Sequence, residues 1–404
     1  MTRWMSVWSV VAALSITVCG GDAQERGEAA VRSSDADLAA LAEALLPDLA
    51  ARSGLELHAP VRVERRTREE LVRYLRSKLD EELPAEEARR KVRAYAFLGM
   101  VPDSLDLRDV LLDVYTEQVA GFYDPDSTAL FVLDDQPAQA LQGLLVHELV
   151  HAVQDQNANL DSLTNPERGN DEATAAQAAI EGHATLVMLE FLTEKARGVR
   201  VDLAQMPDFA SRLRPVLQGM DRQYPRLAGA PRVVRESLLL PYVEGAAYVQ
   251  DLWVKENRAA PFGPFLPRST EQVLTHDRVD RPVLFALDVP GVEILDQDDL
   301  GRLELGIFLE EHLGSGTAAL ATGWGGDHYA LIRDADGAEG LVLAVVWDDA
   351  EARDAFAEAL APAVREFPVG GELRVEDGEW GPAVWIHVGS AVGRAASMRS
   401  RILR

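Results

Sequence analysis

The stretch GLLVHELVHAVQDQ, residues 143–156, predicts a buried helix at the centre of the fold. Apolar residues follow helical spacing along it: Leu141, Leu144, Leu145, Leu149 and Val153. His147 and His151 are four residues apart, so their imidazoles point the same way on such a helix, with Glu148 beside them. We therefore expect a core helix that presents two imidazoles together.

These residue types in this order suit a metal ion. Two neutral imidazoles and one further ligand can hold Zn²⁺ and leave a position for water, whose pKa the ion lowers to about 7. A carboxylate beside that water can take its proton and return it to a leaving nitrogen. The H-E-x-x-H pattern is typical of zinc peptidases. It predicts one Zn²⁺ on His147 and His151 with Glu148 as general base and acid; the alternative is a pair of hydrogen-bonded core histidines.

A second segment, residues 170–188, offers a third ligand. It begins with a helix cap and is rich in alanine, so it can approach another helix closely. Its two candidate ligands are Glu181 and His183, which are two residues apart and hence about 200° apart around a helix. Only one of them can face the ion, and the spacing alone leaves the choice open.

Three motifs in this order carry a family resemblance. They are EQVAGFYD at 117–124, HELVHAVQDQ at 147–156 and EGHA at 181–184. The chain resembles bacterial zinc metallopeptidases of the gluzincin type, most of all an exported and largely uncharacterised group of them. STEQVL at 269–274 and GWGGD at 323–327 extend the resemblance to about residues 35–360. The resemblance implies a zincin-like fold with Glu181 as third ligand; the chain departs from the group at His183, where an acidic residue is usual.

The segment just before the H-E-x-x-H helix predicts a β-hairpin. Residues 119–133 read as two strands joined by a turn at Asp124–Ser127. A hairpin there could present an edge that pairs with extended substrate backbone. A plain sheet edge is an equally good interpretation.

Composition limits the partners of the protein. The formal net charge of −26 argues against binding to nucleic acid or to an anionic membrane through the body of the protein. Cys19 is the single cysteine, so no disulfide can form within the chain. No phosphate-binding loop or serine or cysteine nucleophile constellation stands out.

The N-terminus predicts export. Residues 1–23 have Arg3 followed by an apolar run, Trp4–Val18, that is too short for a stable membrane span. The surrounding residues resemble a lipoprotein signal, which would place a lipid on Cys19 and tether the protein to a membrane of the cell envelope. The alternative is cleavage after Ala23, which would leave the protein periplasmic or secreted. Residues 24–34 are polar and small and predict a flexible tether.

The patterns in the rest of the chain predict an α+β fold, mainly helical, with a zincin-like metallopeptidase domain at 35–325 and a small C-terminal α+β unit at 326–404. We expect helices at Asp35–Arg52, 67–83, 84–98, Phe209–Tyr224, Val233–Lys255, Leu300–Leu313 and Asp349–Phe367, and strands at His58–Glu64, His328–Arg333, Leu341–Trp347, Glu372–Val375 and Ala383–Val388. Thr67 and Glu70 have the spacing of a capping box, which predicts the start of the second of these helices.

Together these features predict an exported zinc endopeptidase whose partner is a polypeptide substrate. Tyr242 or Tyr248 could donate to a developing oxyanion, although a packed core tyrosine is the simpler interpretation of each. Two other functions fit the same residues. One is a zinc-binding interaction or assembly factor without turnover, and the other is a zinc hydrolase of non-peptide amides.

Overall fold

The computed structural model describes residues 29–206 and 224–400. The predicted signal segment with Cys19, and the predicted helix Phe209–Tyr224 up to residue 223, lie outside the described residues. The described chain is α+β and mainly helical, as predicted. Within these ranges none of the helices has the length and apolarity needed to cross a membrane.

The described chain contains twelve α-helices. They are α1 (Ala36–Ser53), α2 (Arg68–Glu82), α3 (Ala85–Phe97), α4 (Leu107–Gln118), α5 (Ala138–Ala158), α6 (Leu160–Leu163), α7 (Asn170–Arg197), α8 (Pro225–Gly229), α9 (Arg232–Lys255), α10 (Thr270–Thr275), α11 (Gly301–Leu313) and α12 (Ala350–Arg365). The capping box predicted at Thr67 and Glu70 opens α2.

The described strands form three sheets. They are β1 (Val31–Arg32), β2 (Val61–Arg66), β3 (Gly121–Asp124), β4 (Ala129–Leu133), β5 (Phe285–Asp288), β6 (Glu293–Asp298), β7 (Trp324–Arg333), β8 (Glu339–Trp347), β9 (Gly371–Gly378), β10 (Gly381–Gly389) and β11 (Ser397–Ser400). Their orders are β1-β2-β4-β3, β6-β7-β8-β10-β9 and β11-β5. The strands predicted in the C-terminal part are confirmed.

The four-stranded sheet lies beside α5. Strands β1, β2 and β4 are parallel, and β3 pairs antiparallel to β4 with Phe122 opposite Phe131. The predicted hairpin is therefore confirmed, and β3 is one of the two edge strands of the sheet. Alternate side chains of the hairpin divide between two layers, because successive residues of a strand face opposite sides. Tyr123 belongs to the core around α5, and Phe122 to the core under α2 and α4.

Helices α7 and α9 pack backbone against backbone. A Cβ atom added at Gly182 would lie 2.1 Å from the carbonyl carbon of Gly245, and one added at Gly245 would lie 2.1 Å from the carbonyl oxygen of Ala178. The alanines of α7 are buried, except Ala196 in its last turn. Small side chains let two helices approach closely, so this sequence places α7 deep inside the molecule.

The C-terminal five-stranded sheet is antiparallel throughout and has α12 on one face. The β5–β11 ribbon covers part of the other face. Strand β6 joins this sheet from ahead of residue 326, the predicted start of the C-terminal unit. At the start of the chain, Val31 and Arg32 pair with β2 within the segment predicted as a tether.

Candidate metal centre

Helix α5 brings the two imidazoles together. Val146, Leu149 and Val150 are fully buried. Val146 and Val150 lie outside the apolar stripe predicted from the sequence, so α5 packs against the core over more of its surface than that stripe. The Nε2 atoms of His147 and His151 lie 3.0 Å apart. Both side chains are almost completely buried, at 1% and 4% exposure.

Helix α7 supplies the carboxylate. Oε2 of Glu181 lies 3.1 Å from Nε2 of His147 and 3.5 Å from Nε2 of His151. Tetrahedral zinc with bonds of about 2.0–2.1 Å separates its ligand atoms by roughly 3.3–3.4 Å. The three donor atoms are thus spaced as one small cation requires, and two imidazoles with one carboxylate suit zinc.

Electrostatics within this group favour an ionised carboxylate. Burial raises the pKa of Glu181, but His151 and His147 outweigh burial and hold that pKa at about 2. Burial lowers the pKa of His151, and the Glu181 carboxylate more than offsets this and raises it to about 9. Burial lowers the pKa of His147 below its usual value, and the Glu181 carboxylate offsets this only in part. The carboxylate therefore stabilises positive charge at His151, and a divalent cation would bring the same sign of charge.

Glu148 lies outside the group of three donors and contacts the edge strand. It is completely buried, and its Oε2 accepts a hydrogen bond of 2.9 Å from the backbone N–H of Tyr123 in β3. The Tyr123 hydroxyl in turn donates to Asp155 on α5 at 2.9 Å. Strand β3 and helix α5 are therefore joined at the position of the predicted base.

His183 does not join the donor group. Its ring packs edge-on against Trp253 and Phe262, with centroid distances of 5.9 and 6.1 Å. Burial lowers its pKa to about 3, so the ring is neutral over the physiological range. Of the two candidates that the sequence offers, the structure brings Glu181 to the imidazoles.

Two glutamines that we gave no role from sequence contact the ligands. Gln177 donates to Oε1 of Glu181 at 2.9 Å. Oε1 of Gln154 lies 2.7 Å from Nδ1 of His151. Their spacing was a usable signal, because residues three or four apart on a helix are neighbours on its surface: Gln177 precedes Glu181 by four, and Gln154 follows His151 by three.

The two candidate tyrosines, Tyr242 and Tyr248, have different contacts. The ring of Tyr242 lies 6.4 Å from the ring of His147, centroid to centroid. Tyr248 instead donates its hydroxyl to the backbone oxygen of Phe265 at 2.7 Å. Tyr242 is therefore the tyrosine that lies beside the candidate metal centre.

Two other features lie apart from this centre. A cavity of about 780 Å³ between α9 and α11 is lined by Leu239, Val243 and Ile307 among others, and its described lining includes no residue of the centre. Glu271, Asp280 and Asp348 form an acidic group without an imidazole. Burial, together with the charges of Asp280 and Asp348, raises the pKa of Glu271 to about 8.

Comparison with known proteins finds one family. A family model described as a domain of unknown function, DUF8575, matches residues 291–397. No curated protein and no solved structure matches the chain. The matched range contains β6, α11, α12 and the strands β7–β10, and ends at Ser397, the first residue of β11. It does not include His147, Glu148, His151 or Glu181.

Proposed function

We propose that this protein is an exported zinc endopeptidase with a zincin-like core. The observation that carries the proposal is the buried group of Nε2 of His147, Nε2 of His151 and Oε2 of Glu181, within 3.5 Å of one another. Glu148 follows His147 directly and is held against strand β3. The family resemblance of the same residues supports the proposal.

Each side chain has a defined role in this proposal. His147, His151 and Glu181 hold the ion. Bound zinc lowers the pKa of a water molecule to about 7 and polarises a carbonyl group. Glu148 takes the proton from the attacking water and delivers it to the leaving nitrogen. The hydrogen bond from the Tyr123 N–H orients the Glu148 carboxylate for this proton transfer.

The edge strand supports a polypeptide as substrate. Strand β3 is one edge of its sheet, and an extended chain can add to a sheet edge through main-chain hydrogen bonds. The Tyr123 N–H of β3 already donates to Glu148, so the proposed base lies at that edge, and a substrate chain would pair with the other main-chain groups of β3. The N-terminal signal supports export, with a lipid on Cys19 as the proposed anchor.

The test is the variant Glu148→Gln. Glutamine has nearly the same shape but cannot accept the proton, so hydrolysis of an unstructured polypeptide should fall by about 10²–10⁴. Zinc content, measured by elemental analysis, should stay at one ion per chain because the three donors remain. Glu43→Gln is the matched control, because Glu43 is exposed on α1 and should change neither quantity.

One observation favours a second function. The four residues of the centre are at most 4% exposed, which suits a zinc site without turnover in an interaction or assembly factor. That function becomes the better one if the wild-type protein and Glu148→Gln both hold zinc and neither cleaves any unstructured polypeptide. Cleavage of small amides without cleavage of polypeptides would favour the non-peptide hydrolase.

A further inference from the structure

Gln154 connects the two helices that carry the candidate metal ligands. Its side chain is completely buried. Its Oε1 lies 2.7 Å from Nδ1 of His151 on its own helix, α5. Its Nε2 lies 3.0 Å from the backbone oxygen of Ile180 and 3.0 Å from Nδ1 of His183, both on α7. All three of these contacts lie away from solvent.

These contacts determine where the protons are. The backbone oxygen of Ile180 can only accept, so the amide atom that faces it must be the NH₂ group of Gln154. The oxygen of Gln154 therefore faces His151, and Nδ1 of His151 must carry the proton. In the neutral form of the ring, which is the form that binds a metal ion, this leaves the lone pair of His151 on Nε2, the atom that lies 3.0 Å from Nε2 of His147.

His183 completes the arrangement. The second hydrogen of the Gln154 NH₂ group points to Nδ1 of His183, which must accept it and therefore carries no proton. Trp253 and Phe262 pack edge-on against the His183 ring and hold its plane. His183 thus has a defined position next to Gln154 although it does not reach the donor group.

We propose that Gln154 is a positioning residue for the metal centre, and that His183 acts through it. Gln154 selects the His151 tautomer whose Nε2 can bind the ion and fixes the plane of that ring. His183 and the Ile180 carbonyl hold the Gln154 amide in the required orientation. The inference rests on the proposed metal centre but does not require that the protein hydrolyses anything.

A simpler role must be distinguished from this one. Gln154 could stabilise the fold by joining α5 to α7 without affecting the ion. The two roles use different atoms, since positioning depends on the oxygen that faces His151 and joining depends on the NH₂ group that faces α7. Gln154→Glu keeps an acceptor for His151 and removes the NH₂ group, whereas Gln154→Met removes both.

The experiment measures zinc affinity by competition with a chromophoric chelator, the visible spectrum of the cobalt-substituted protein, and thermal unfolding of the metal-free protein. Gln154→Met should lose about 10–100-fold in zinc affinity and change the cobalt spectrum. Gln154→Glu should keep zinc affinity within a few fold of wild type while losing thermal stability. Gln156→Met is the matched control: Gln156 is on the same helix but bonds the backbone of His58 and Ala59.

Results that differ from these expectations distinguish the remaining possibilities. Unchanged zinc affinity and cobalt spectrum in Gln154→Met would overturn the inference, and equal losses in Gln154→Glu and Gln154→Met would reduce Gln154 to a connection between helices. If Gln154→Met does not fold, the zinc affinity of Gln154→Glu decides between the two roles: an affinity within a few fold of wild type supports positioning, and a large loss contradicts it. If the wild-type protein binds neither zinc nor cobalt, the proposed metal centre is wrong. A wild-type protein that binds zinc but cleaves nothing contradicts only the proposed function.

Discussion

At the scale of single residues, Glu181 and His183 show how two neighbouring candidate ligands acquire different positions. Glu181 reaches both imidazole Nε2 atoms. His183 instead contacts the amide of Gln154, the backbone of Ser53 and the ring of Trp253. Substitution of Glu181, a proposed ligand, should therefore reduce zinc affinity more than substitution of His183, which lies outside the ligand set.

We expect Glu181→Gln to weaken zinc binding by more than about 100-fold and His183→Asn by about tenfold, because loss of a group outside the ligand set typically costs 10–100-fold. Chelator competition at a fixed pH measures both. The reverse ranking would make His183 the ligand and would contradict the assignment of Glu181.

At the scale of helices and strands, the contact between α7 and α9 determines where Glu181 lies. Gly182, next to Glu181, meets Gly245 backbone to backbone. A side chain at either position requires the helices to separate, because the atoms that it would meet belong to the main chain and cannot rotate away. The position of the Glu181 carboxylate therefore depends on Gly245 in the neighbouring helix α9.

Gly245→Ala should lower the free energy of unfolding by about 1–3 kcal/mol or more, since its Cβ would meet the Ala178 carbonyl oxygen at 2.1 Å. Zinc affinity should fall as well, because α7 must shift. Urea unfolding and chelator competition measure the two effects. Gly229→Ala is the control, because a Cβ there meets nothing within 4 Å; similar effects of both substitutions would contradict the packing argument.

The start of α7 carries a buried carboxyl group. The pKa of Asp171 is raised to about 7, mainly by burial; hydrogen bonds from Thr270 oppose the rise, and the charges of Asp327 and Glu304 contribute to it. Asp299 lies beside it and accepts from its backbone N–H at 2.6 Å. The folded state thus binds this proton more tightly than the unfolded chain, so the stabilisation is complete below about pH 3.8 and is lost as the pH rises through about 7.

Asp171→Asn should remove this dependence while keeping an acceptor for Thr270. The free energy of unfolding of the variant, relative to wild type, should therefore increase between pH 4.5 and pH 7.5. Urea titrations at several pH values measure the difference, from which the contributions of groups that do not interact with Asp171 cancel; Asp299, whose pKa Asp171 raises, still contributes. Parallel curves for the two proteins would show that Asp171 does not titrate in this range.

At the scale of the whole molecule, the region that matches the family model is part of the same core as the helices before it. Leu111 and Tyr115 of α4 belong to one apolar cluster with Leu343 and Ile386 of the C-terminal sheet. The loop after β6 also supplies Asp299, which caps the start of α7. The C-terminal sheet thus stabilises the helix that carries Glu181.

A chain of residues 24–290 should therefore show no cooperative thermal unfolding and little zinc binding, because it exposes that cluster and loses the cap. Circular dichroism and elemental analysis measure these properties, with residues 24–400 as the control. A shortened chain that unfolds cooperatively and holds zinc would show that the matched region is an independent unit.

The sequence by itself determined the local elements. Helical periodicity and the H-E-x-x-H spacing predicted α5 and the direction of its imidazoles, and turn residues at Asp124–Ser127 predicted the β3–β4 hairpin. The Thr67–Glu70 capping box predicted the start of α2. These features depend on residues a few positions apart, so they can be read along the chain.

Only the tertiary structure decided which distant groups meet. It brought Glu181 and not His183 to the imidazoles, Tyr242 and not Tyr248 to their side, and Gln154 between α5 and α7. It also added β6 to a sheet that the sequence began at residue 326. Such choices depend on which face of each helix or strand packs against its neighbours, and that depends on side chains far apart in the sequence.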